Sequence, residues 1–116
     1  MSITKGPNLG ILINGNQGEA HYAEVLEFFR WSDTLTQARV KDKDLTAPPG
    51  SPTDGDAYIV AASPTGAWSG KAGQIARWWA GGTAWEFRPA RQGWRVHVED
   101  EAIDYRYESG AWVAKT

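Results

Sequence analysis

Apolar residues recur with helical spacing in one stretch of the chain. Tyr22, Val25, Leu26 and Phe29 fall three and four residues apart and define a single face. Phe28 and Trp31 widen that face beyond what one amphipathic helix ordinarily carries, while Glu24, Glu27 and Arg30 supply a polar side. Asn16, with Glu19 three residues on, forms a capping-box start, so the pattern predicts one helix over residues 17–31. Upstream, residues 1–15 scatter Gly6, Pro7, Gly10 and Gly15 among a few aliphatics and read as an extended arm.

Beyond the helix the period shortens. Ser32 to Asp44 is polar, with thin alternation through Leu35, Ala38 and Val40, and predicts a strand or an extended link. Ala47-Pro48-Pro49-Gly50-Ser51-Pro52 and Asp54-Gly55-Asp56 form a turn-rich, stiff connector, because proline fixes φ and glycine supplies tight-turn angles. From Ala57 the chain reads as strand and turn: 58–61, 75–80, 84–88 after Gly81-Gly82-Thr83, 94–98, 102–107 and 111–113. A small residue followed by Trp recurs in Gly66-Ala67-Trp68, Thr83-Ala84-Trp85 and Gly110-Ala111-Trp112, at spacing too irregular for a solenoid. The expected fold is mainly β: an N-terminal arm and one α-helix followed by a small antiparallel β domain of short hairpins. The expected organisation is an arm and helix over 1–31, a connector over 32–56 and the β domain over 57–116.

Composition narrows the function classes. A chain of 116 residues fits one domain. With net charge -2 and no basic run, nucleic acid is not expected as the primary partner. No stretch predicts membrane insertion, and Leu9-Gly10-Ile11-Leu12-Ile13 is too short for a signal-peptide core. The absence of cysteine excludes disulfides and thiolate metal sites. His21 and His97 sit on different elements without zinc-site spacing, even with Glu24 a turn from His21. The acidic run Glu99-Asp100-Glu101 with Asp104 lacks calcium-loop spacing and reads as a solvated turn; Asp42, Asp44, Asp54 and Asp56 read as turn and cap residues. Gly66 to Gly73, with Lys71, lacks the Lys-Ser/Thr ending of a phosphate loop. No catalytic residue, cofactor or metal is expected, and the chain is not expected to be an enzyme.

The aromatic residues carry more weight. Seven Trp in so short a chain need an explanation. Trp78 and Trp79 are adjacent on a predicted strand, so they point to opposite faces, one expected in the core and one outside. An outward indole offers a flat platform for a sugar ring or a partner. Trp78, Trp79, Trp85 and Tyr107, with Arg77 and Arg88 as donors, are the candidate glycan contacts; core packing is the alternative for any single ring. The wide apolar face of the helix, Tyr22, Val25, Leu26, Phe28, Phe29 and Trp31, is the candidate assembly interface.

The run Asp44-Leu45-Thr46-Ala47-Pro48-Pro49-Gly50-Ser51-Pro52, then Gly55-Asp56-Ala57-Tyr58-Ile59-Val60 and Thr65-Gly66-Ala67-Trp68, resembles an uncharacterised phage and prophage family, a domain of unknown function of tail-fibre, spike and gene-transfer-agent virion proteins. The similarity continues through Gly70, Gly73, Ile75, Ala76, Trp79, Trp85, Phe87, Pro89, Gly93 and Trp94, and covers Gln17, Glu19 and His21. The resemblance implies a virion location after synthesis in the host cytoplasm. It also implies a homotrimer and a structural role in the tail tip, baseplate or tail fibre, among other phage tail or baseplate proteins. The alternatives are a carbohydrate-binding module contacting host surface polysaccharide and a head-decorating spike.

Overall fold

The structure is a computed structural model that describes residues 4–5, 12–13 and 19–115, with side chains from Ala23 onward in the helix. In the N-terminal arm, β1 (Thr4–Lys5) pairs antiparallel with β2 (Leu12–Ile13). The remainder of the arm and the predicted Asn16 cap lie outside the described residues. Helix α1 spans Glu19–Leu35, four residues past its predicted end. The extension follows from packing: Leu35 lies one turn beyond Trp31 and meets the same core.

Seven further strands follow. They are β3 (Arg39–Val40), β4 (Ala57–Ile59), β5 (Ile75–Trp79), β6 (Ala84–Arg88), β7 (Arg95–Val98), β8 (Ile103–Glu108) and β9 (Ala111–Ala114). They form a three-stranded antiparallel sheet, β4-β5-β6, and a four-stranded sheet, β3-β7-β8-β9. The mainly-β architecture with one helix therefore holds among the described residues. One pairing departs from an all-antiparallel reading: β3 runs parallel to β7, with Val40 opposite Val98.

The connector is stitched into both sheets. After β3, the amides of Lys41 and Ile59 donate to the carbonyls of Ala57 and Asp42, and the Ala61 amide reaches Leu45. These bonds occupy the free edge of β4, which would otherwise expose unpaired backbone groups. Alternation along β4 and β5 then feeds two cores. Ala57, Ile59 and Ile75 pack with Trp31, Val40, Val96 and Val98, so helix, connector and β segments share one core. On the other face, Tyr58, Val60 and Ala76 pack with Trp68, which a single 3-10 turn, Gly66–Trp68, carries into place.

Candidate functional site

The helix meets the three-stranded sheet through its polar stripe. Glu27, Arg30, Trp31 and Thr34 lie at i, i+3, i+4 and i+7, one face of a helix. Arg30 donates from Nε and Nη2 to Glu86 Oε1 and Oε2, at 3.0 and 2.7 Å. The Glu86 hydrogen bond raises the Arg30 pKa further above its ordinary value. Arg88 pairs with Glu27, and Arg77 Nε donates to Thr34 Oγ1 at 2.8 Å. The sheet dictates this arrangement. Arg77 and Glu86 are direct partners across β5 and β6, and Arg88 is opposite Ile75, so the face beneath the helix carries three charged groups that need satisfying. Trp31, a predicted assembly residue, is the apolar plug among them and is 0% exposed in its own chain.

The apolar stripe faces outward instead. Phe29 is 60% exposed, Phe28 47% and Leu26 38%, with Val25 half-buried beside them. The Phe28 and Phe29 rings lie 6.2 Å apart. Tyr22 is on the helix backbone, but its side chain lies outside the described residues, as does that of His21.

The six predicted glycan contacts fall into three places. Trp78 and Trp79 take opposite faces of β5, and both are half-buried in the single chain. Trp78 is opposite Trp85, and Trp85 also packs on Trp68 and Tyr58, with ring centroids 5.2 to 5.9 Å apart across the cluster. Trp79 lies under Arg30 on the helix side. Arg77, 5% exposed, and Arg88 turn inward to the contacts with Thr34 and Glu27, because the helix lies over that face. Tyr107 belongs to the other sheet, where it is opposite Trp112 at 5.1 Å between rings. The Trp112 indole donates to the Gly73 carbonyl and so joins the two sheets.

The four-stranded sheet carries a constellation that the sequence reading did not single out. A concavity of 610 Å³ opens on its outer face, lined by Gln37, Arg95, His97, Asp104, Arg106 and Lys115 among others. Arg95 is directly opposite Arg106, and His97 is opposite Asp104. His97 Nδ1 and Asp104 Oδ1 are 2.6 Å apart. Lys115 donates its amide to the Asp104 carbonyl and brings Nζ to 3.0 Å from Glu108. The signal was present in the sequence. Alternation turns Arg95 and His97 outward, and a tight turn after Val98 sets Asp104 and Arg106 against them.

The sequence model of DUF2793, described as a protein of unknown function, matches residues 27–113. The chain belongs to the DUF2793 family. No curated protein shows significant similarity to it. The DUF2793 segment begins at Glu27, so it takes in the inward stripe of the helix, both cores and the Arg95–Arg106 pair, and leaves Val25 and Leu26 outside.

Within the DUF2793 segment, folding also gathers Asp42, Asp44 and Asp100, whose carboxylate oxygens lie within 4.8 Å of one another. Asp42 accepts the Asp44 amide, and Lys43 reaches Asp44 at 3.1 Å and Glu101 at 3.4 Å. Lost hydration raises the Asp100 carboxyl above its usual range, and repulsion from Asp42, Glu101 and Asp44 adds to this. Read along the sequence, these aspartates belong to two separate turns; the β3–β7 pairing brings those turns together.

Proposed function

We propose that this DUF2793 chain is a non-enzymatic structural subunit of a bacteriophage particle. It works as a homo-oligomer, a trimer by analogy with three-fold fibres, in the tail tip, baseplate or tail fibre. The observation that carries the assembly reading is the inverted helix. Leu26, Phe28 and Phe29 present a contiguous apolar surface on the side away from the core, while the charged side is consumed inside the chain. Such a surface is a cost in a lone subunit and a driving force between copies. The complement of an uncharged aromatic face is another such face, and a second copy of the chain supplies it. The virion location rests on the resemblance of the proline-rich and tryptophan-rich segments to phage fibre and spike proteins.

Two measurements test this. Light scattering on the full chain should give a trimer mass that Leu26→Asp with Phe29→Asp reduces to a monomer, the circular dichroism spectrum being unchanged. A monomeric wild type at micromolar concentration overturns the assembly reading. Antibody labelling of purified particles should mark the tail; unlabelled particles overturn the virion location.

A second reading, contact with host surface polysaccharide, draws support from the half-buried Trp78 and the guanidinium groups on the outer face of the four-stranded sheet.

A further inference from the structure

Arg95 and Arg106 stand directly opposite one another on the antiparallel strands β7 and β8. Val96 and Val98, which alternate with Arg95 on β7, are buried, and Arg106 shares the face of its cross-strand partner, so both guanidinium stems start from the solvent side of the sheet. Like charges in this relation destabilise a ladder. Nothing in the described chain relieves it fully. The Arg95 side chain has no hydrogen bond or ion pair among the described residues. Arg106 has a buried Nε with no hydrogen-bond acceptor, and its nearest carboxylate, Glu108 Oε2, is 3.6 Å away. The concavity beside them is the size of a small-ligand pocket.

We propose that this concavity is a binding site for a carboxylate-bearing sugar, of the kind carried by acidic polysaccharides. It goes beyond the assembly role and deepens the polysaccharide reading, on which it rests. A carboxylate placed between Arg95 and Arg106 accepts hydrogen bonds from both forks and removes their repulsion. The next row of the sheet suits hydroxyl groups. Asp104 and His97 hold each other at 2.6 Å, leaving a carboxylate oxygen and a ring nitrogen for a ligand, and Gln37 adds an amide at the rim. The same row argues against nucleic acid. Asp104 and Glu108 flank Arg106 on this face of β8, so a backbone with a phosphate at every step meets carboxylates as often as guanidinium groups. Tyr107 and Trp112 alternate to the opposite face and do not line the concavity, so they offer no base a stacking platform there.

The test uses the full chain and alginate, a polymer of uronic acids, beside a neutral glucan and single-stranded DNA. Alginate should bind in a salt-sensitive manner. Arg95→Gln and Arg106→Gln should each weaken it about tenfold, the scale of a lost charge-assisted hydrogen bond. Lys71→Gln, a charge removed over Phe87 on the three-stranded sheet, should bind as the wild type does. Arg95→Gln should also melt no lower than the wild type, because it removes a like-charge pair. No alginate binding, or binding at the wild-type level by both Arg variants, overturns the site. DNA bound more tightly than alginate overturns the choice of ligand. Glucan binding that survives in both variants overturns the site while leaving the polysaccharide reading intact.

Discussion

The guanidinium carbon of Arg30 sits 3.8 Å from the centroid of the Trp79 ring. The same guanidinium holds both oxygens of Glu86, so an indole, a cation and a carboxylate lock helix α1 onto β5 and β6. Cation–π contact and bidentate pairing both favour arginine over lysine at this position. Because these polar groups anchor the helix, its apolar stripe is free to face outward.

Glu86→Ala should therefore loosen the helix. It leaves the Arg30 charge in a mostly buried site without its main partner, at a cost of about 2 kcal/mol. For a domain of this size that lowers Tm by roughly 10 °C in a thermal melt followed by circular dichroism. A wild-type Tm would show that the pair contributes nothing net.

Two residues two positions apart on α1 should behave oppositely. Trp31→Ala opens a cavity in a fully enclosed site and should cost about 3–5 kcal/mol. Phe29→Ala should leave the unfolding free energy of the isolated subunit within about 0.5 kcal/mol of wild type, as for other surface changes. Denaturant titration under dilute, monomeric conditions distinguishes them. Equal losses would place the outward stripe in a core.

Gly82→Ala should disturb Trp79. A Cβ built at Gly82 lies 2.5 Å from Trp79 Cε3, too close for any real contact. Either the turn or the indole must shift, at about 1–3 kcal/mol, the range for overpacking. Gly50→Ala, where nothing lies within 4 Å, is the control and should be neutral or slightly stabilising. A drop in Tm for Gly82→Ala with a change in tryptophan fluorescence, absent in Gly50→Ala, is the expected result.

Asp100 gives a pH signature. Its carboxyl is raised in the folded chain, so folding favours the protonated form and the charged form is a liability. That liability is absent below the unfolded carboxylate range, grows as pH rises through the folded value, and is complete above it. Asp100→Asn should accordingly raise Tm at pH 7 and leave it unchanged at pH 3. A gain equal at both pH values would mean that the effect is not electrostatic.

What could be read along the chain was what neighbours in sequence decide. The β5–β6 hairpin was legible because Gly81-Gly82-Thr83 separates two aromatic strands, and the opposite faces of Trp78 and Trp79 follow from the pleat. The stripe of Val25, Leu26 and Phe29 was legible as a stripe. Its direction was not, because periodicity identifies faces without naming what each face meets. That Glu27, Arg30 and Thr34 turn inward depends on Arg77, Glu86 and Arg88, more than forty residues away. The parallel partner of Arg39–Val40 was equally hidden, since two residues hold no pattern that selects a strand near residue 98. The Arg95–Arg106 pair was within reach once the turn after Val98 fixed the register.

The parallel pairing of β3 with β7 also orders events in time. The β4-β5-β6 and β7-β8-β9 meanders each pair strands that are neighbours in sequence and can form early. Joining Val40 to Val98 must instead close a loop that contains the whole first meander, at a larger entropic cost. Docking of the two meanders is then the late step of folding. A chain growing from its N-terminus has already made Trp31 and Val40, yet both lack their covering valines until Val96 and Val98 arrive. Through that interval the nascent chain exposes the inner and outer apolar sides of its helix together, and it is then most vulnerable to sticking to its own copies in the wrong arrangement.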